Sequence, residues 1–146
     1  MRRCAVSEDV PEGFSQHFRK SRVTDPWEPL YSRTLLAAVQ IGVRLREEHC
    51  NSRGFVHGGV IATLADNAMG LSYGQVAKNA HDDRTPLRGA VTVSLNIDYA
   101  ATANVGQWLQ IEPRVIKAGR SMRFVDALIT ADGMTIARAS ATFRVS

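Results

Sequence analysis

"FVHGGVIATLADNAMG", residues 55–70, decides how the rest of the chain is read. A histidine and two glycines open an apolar run that continues through "LSYGQVAKNA", 71–80. Ile61, Leu64, Ala65, Ala68, Leu71 and Ser72 recur at helical spacing, so one stripe of a helix is apolar. At 1.5 Å per residue such a helix reaches ~30 Å, the width of a small domain. Its alanines and glycines let neighbouring backbone come close, which places it centrally. One carboxylate, Asp66, stands inside this run.

Outward from the helix, the pattern changes from period 3.6 to period 2. Upstream, Val39, Ile41, Val43 and Leu45 alternate with Gln40, Gly42, Arg44 and Arg46, which predicts a strand with one buried face. "EHCNSRGF", 48–55, breaks that pattern as a polar turn. Downstream, "HDDRTPLRG", 81–89, reads as a loop. "AVTVSLNIDY", 90–99, then places Val91, Val93, Leu95, Ile97 and Tyr99 on one face and Thr92, Ser94, Asn96 and Asp98 on the other. "WLQIEPRVIK", 108–117, contains Pro113, a sign of a bend or an edge position. "SMRFVDALIT" and "MTIARASATFRV" flank Asp132-Gly133, a two-residue hairpin signal. Ala137, Ala139, Ala141 and Phe143 share a face against which a helix can lie. The order is strand, long helix, four strands. An α+β fold, an antiparallel sheet wrapped around one central helix, satisfies it with short connections.

The N-terminal part is less patterned. "EGFSQHFRKSR", 12–22, is compatible with a short helix carrying Phe14 and Phe18 on one side, and "DPWEPLY", 25–31, reads as an ordered connector. Residues 1–30 are therefore taken as a helical and connector segment, and 31–146 as a single domain.

Composition bounds the function. The 146 residues are 45% hydrophobic and 22% charged, as in ordinary globular proteins. No apolar run approaches a span of ~20 residues, so a membrane is not expected. "MRRCAVSEDVPEG" has arginines but no apolar segment after them, which makes cytoplasmic residence the expectation. Cys4 and Cys50 lack metal-type spacing and read as free thiols. The net charge of +4 comes from scattered arginines with no basic stripe. That disfavours nucleic acid and suits a small anionic ligand. His17, His49, His57 and His81 are too dispersed for a metal site.

Several residues carry candidate chemistry. Gly58 and Gly59 precede the helix, where free backbone N–H groups and the dipole favour negative charge; the site suits an oxyanion as readily as a plain helix start. Asp66 is either a polar-edge aspartate or a general base or nucleophile. His57 is open to three roles, as base, ligand or cap, with an orienting role favoured. Asn51 is either a turn residue or an amide donor aimed at a carbonyl or at His57.

Together, "NSRGFVHGGVIATLADN", 51–67, resembles the hotdog-fold acyl-CoA thioesterases of the phenylacetate-pathway and thioesterase-superfamily-member-2 type. Asn51, Gly54, His57, Gly58, Gly59, Leu64 and Asp66 carry the resemblance. The element order extends it over 31–145. The resemblance implies a hotdog fold and hydrolysis of acyl-CoA, with CoA part of the substrate and no further cofactor. In its terms, the Gly58 N–H with Asn51 polarises the thioester carbonyl. Asp66 activates water or attacks directly, and His57 helps to place Asn51 or the thiol leaving group. A strand hydroxyl, here Thr92, holds the water beside Asp66. Lys117, Gly119, Arg120 and Arg123 fall where the family often binds CoA phosphates, although a polar hairpin explains them equally well. Met69, Leu71 and Tyr73 are candidates for the acyl pocket or for plain core.

Helix geometry adds a constraint. Asp66 lies eight residues beyond Gly58, ~12 Å along one helix, whereas base, water and carbonyl need contacts of ~3 Å. One helix hardly supplies both ends, but two antiparallel copies do. A homodimer is the least assembly expected, and a homotetramer the one the resemblance suggests. The competing expectation is a noncatalytic acyl-CoA binding or sensing protein of the same fold. Hydratase chemistry would need an Asp and His in a loop pattern that is absent from this sequence.

Overall fold

A computed structural model describes residues 9–80 and 89–145. Cys4, His81 and almost all of the expected 81–89 loop lie outside the described residues. Seven strands form one sheet: β1 (Ser15–Gln16), β2 (Tyr31–Thr34), β3 (Val39–Arg44), β4 (Ala90–Tyr99), β5 (Trp108–Ala118), β6 (Met122–Ala131) and β7 (Met134–Val145). Their order is β1-β2-β3-β5-β6-β7-β4, and every neighbouring pair is antiparallel. The long helix α1 (Gly58–Asn79), the one α-helix among the described residues, lies against the inner face. This is the hotdog arrangement.

The core is the helix stripe pressed on the sheet. Val60, Ile61, Leu64, Ala65, Ala68, Met69, Ser72 and Tyr73 are buried on α1. They face Ile41, Val43, Ile111, Val125, Ile129 and the small row Ala137, Ala139 and Ala141. Each large aliphatic side chain buried there contributes about 1.5–3 kcal/mol. Met69 and Tyr73 are core residues, while Leu71 is only half-buried. The β6–β7 turn has φ of 47° at Asp132 and 83° at Gly133, the left-handed pair that the Asp-Gly signal demands.

Four expectations are corrected. First, two short strands precede β3, so three strands and not one come before the helix. Second, residues 12–22 hold no helix. Ser15 and Gln16 pair with Ser32 and Tyr31 instead, because Phe14 finds its partner on the sheet, edge-on to Trp108 at 5.3 Å. Third, Pro113 is buried in an interior strand. The β3–β5 pairing ends at Ile41–Ile111, so the missing proline N–H costs no ladder bond on that side.

The fourth correction bears on function. β4 does not alternate cleanly, because its register with β7 shifts between Thr92 and Ser94. The bulge reverses the phase of the strand. Val91 and Val93 are 57% and 54% exposed, while Thr92 shares the inner side with Leu95 and Ile97. β4 is also a sheet edge, with one side unpaired among the described residues. No helix among the described residues is long and apolar enough to cross a membrane.

Candidate active site

The approach to α1 is built around a buried histidine. His49 is fully buried; its Nδ1 accepts from the Arg46 N–H at 2.9 Å, and its Nε2–H donates to the Trp27 carbonyl at 2.9 Å. Burial holds its pKa below the ordinary value. The His49 carbonyl accepts from the His57 N–H at 2.8 Å, which fixes the chain at the helix start.

Asn51 closes the intervening loop. Its Oδ1 accepts from the Arg53 and Phe55 N–H groups at 2.9 and 3.2 Å, and Gly54 turns at φ +82°. The turn role is therefore real, and it consumes only the oxygen. The Nδ2 hydrogens have no partner among the described residues and are the end left to donate.

His57 caps the helix. Its Nδ1 accepts from the Gly59 N–H at 2.8 Å. A nitrogen that accepts carries no proton, so the neutral imidazole presents Nε2–H outward. Of the three roles open to it, the cap is the one observed. The Gly58 N–H has no acceptor among the described residues and is an uncommitted donor at the positive end of the dipole. Asn51 in the loop and His57 and Gly58 at the helix start make up one group of residues on the approach to α1.

Asp66 and Thr92 form a second. The Thr92 hydroxyl donates to Asp66 Oδ1 at 2.7 Å, a contact made possible by the β4 bulge. Asp66 is half-buried, open enough on its other side to meet water or substrate. Because α1 is continuous from Gly58 to Asn79, the two clusters stay ~12 Å apart along the helix within one chain.

The four residues expected near CoA divide. Lys117 lies one residue before the end of β5 and Arg120 sits in the β5–β6 turn, both exposed. Gly119 suits the tight turn, since a Cβ would stand 3.0 Å from the Met122 carbonyl. Arg123 turns inward; its guanidinium lies 5.2 Å from the Tyr73 ring centroid, with Nε and Nη1 buried and without a hydrogen-bond partner among the described residues. Cys50 is a free thiol whose pKa is raised by burial and then by Glu47, so it stays protonated and is a poor nucleophile.

Tyr99 and His49 were not singled out from sequence. Tyr99 donates its hydroxyl to the Gly58 carbonyl at 2.6 Å. Strand periodicity makes Tyr99 one more apolar-face residue, and nothing local marks its long-range partner.

A family model described as the thioesterase superfamily matches residues 53–137. An esterase candidate of Pseudomonas aeruginosa is 36% identical over 94% of this chain and 98% of its own. Human acyl-coenzyme A thioesterase 13 is 33% identical over 66% of this chain, and the match covers 64% of the human protein. A Streptococcus mutans protein solved bound to acetyl-CoA superposes with a TM-score of 0.65 and 28% identity, covering 75% of this chain and 82% of that one.

Proposed function

Since this chain belongs to the thioesterase superfamily, we propose that it hydrolyses acyl-CoA thioesters at a site shared between two subunits. The observation that carries this reading is the division of labour along α1. A carboxylate held by Thr92 at 2.7 Å and an uncommitted Gly58 N–H stand at separate places on one helix. Antiparallel helices from two subunits bring Gly58 of one chain opposite Asp66 of the other. The exposed Val91 and Val93 on the open edge of β4 support such a dimer, because unprotected apolar edges invite pairing. Pairing of dimers into a homotetramer belongs to the same proposal.

In this reading the Gly58 N–H and the Asn51 amide polarise the thioester carbonyl. Asp66 of the partner subunit acts as general base or as nucleophile. As base it takes a proton from water, the water oxygen bonds to the acyl carbon, and the C–S bond breaks. The proton then goes to the departing CoA thiolate. The His57 Nε2–H faces the thioester as an orienting donor. Lys117, Gly119, Arg120 and Arg123 are proposed to lie near the CoA phosphates. CoA arrives as part of the substrate and no other cofactor takes part. Superposition on an acetyl-CoA complex supports this ligand class.

Thiol release from a panel of acyl-CoAs, followed with Ellman's reagent, tests the proposal. Wild-type protein should turn over, and Asp66→Asn should fold, assemble and lose most activity. Saturable acyl-CoA binding without turnover would replace the enzyme with a binding or sensing protein.

A further inference from the structure

We propose that Tyr99 is a positioning residue, acting through the Gly58–Gly59 peptide on His57. The inference rests on the thioesterase reading for its kinetic consequence, but not for its structural one.

The Tyr99 hydroxyl donates to the Gly58 carbonyl at 2.6 Å. That carbonyl and the Gly59 N–H belong to one peptide group, and the N–H donates to His57 Nδ1 at 2.8 Å. The result is a continuous relay from phenol to peptide to imidazole. Successive hydrogen bonds of this kind polarise one another, by roughly 10–30% per bond. Drawing electrons toward the carbonyl oxygen makes the Gly59 N–H a stronger donor. A stronger donor at Nδ1 holds the proton on Nε2, the nitrogen with no partner among the described residues. Partial burial pushes the Tyr99 phenol above its ordinary pKa, so the hydroxyl remains a donor across neutral pH.

The two glycines make this relay possible. A Cβ at Gly58 would stand 3.1 Å from Tyr99 Cζ and 3.2 Å from its hydroxyl oxygen. A Cβ at Gly59 would stand 3.0 Å from His57 Nδ1. Side chains at either position would push the phenol or the imidazole away. The "HGG" sequence is therefore explained by the approach of two rings as well as by ligand access. β4 braces the helix twice: Thr92 holds Asp66, and Tyr99 holds the Gly58–Gly59 peptide.

Tyr99→Phe tests the relay, because it keeps the ring and removes one donor. NMR on 15N-labelled protein reads the relay without any turnover. In the variant the Gly59 amide proton should shift upfield, and the His57 Nδ1 resonance should move toward that of a nitrogen free of hydrogen bonds. kcat should fall about three- to tenfold, as for loss of one net hydrogen bond, with KM and the thermal midpoint almost unchanged. In a His57→Ala background, Tyr99→Phe should add less than about twofold, since coupled residues are not additive. Unchanged Gly59 and His57 resonances, or an equal kcat loss without His57, would overturn the proposal. If the wild type proves inactive, the resonances still decide the relay while the thioesterase reading fails alone.

Discussion

Thr92→Val removes a hydroxyl from the centre of the proposed site and keeps its shape. Thr92 Oγ1 donates to Asp66 Oδ1 at 2.7 Å, a well-formed O–H···O distance to a carboxylate side chain. Bonds to charged groups contribute about 1.5–3 kcal/mol. Thr92 is exposed and Asp66 half-buried, so water replaces part of the lost bond and the lower end applies. A barrier raised by ~1.5 kcal/mol slows the chemical step about tenfold. Valine suits a strand as well as threonine does, so the β4–β7 pairing survives and thermal stability should hold. Thr92→Ser restores the donor and should recover activity to within about threefold. The assay is steady-state thiol release at saturating acyl-CoA, with the thermal midpoint measured beside it. Turnover in Thr92→Val within twofold of wild type, at unchanged stability, would refute the claim that Thr92 orients Asp66. Equal losses in Val and Ser would do the same.

Gly42→Ala should destabilise the fold by about 1–3 kcal/mol, read as a lower urea midpoint, because a Cβ there overlaps the Trp108 indole. Stability should decline on acidification. His17 and His49 both have pKa values lowered from 6.5 by burial, so below that pH the unfolded chain binds protons that the folded chain refuses. Unfolding midpoints that stay constant from pH 7.5 to 5.5 would contradict this, and replacing either histidine should flatten the decline. Lysine at both Val91 and Val93, 57% and 54% exposed on the β4 edge, should weaken self-association, measured as mass by light scattering.

Periodicity reveals elements whose pattern comes from burial on one side. That is why α1, the hairpin at Asp132-Gly133 and the long strands are legible in the sequence. The short β1 and β2 are not, because two to four residues carry no period and their partners are remote. The bulge in β4 is hidden for a different reason. Val91 and Val93 look like buried-face residues, and only pairing with β7 shows that the phase reverses and sends Thr92 inward. That reversal corrects the face on which Thr92 is expected and brings its hydroxyl to Asp66. Local motifs such as the His57 cap and the Asn51 turn follow from neighbouring residues. Tyr99 bonds to a carbonyl 41 residues away, which no local pattern encodes.

The shared site is tested most directly by mixing two inactive variants. Asp66→Asn removes the carboxylate, and Gly58→Val crowds Tyr99 and the donor peptide. In a mixed dimer one site carries both defects and the other carries neither. Random co-refolding makes about half of the dimers mixed, so roughly a quarter of wild-type activity should return. Native mass spectrometry confirms the mixed dimers. Recovery near that level is the predicted result; mixed dimers present with no recovery would contradict a site built from two chains.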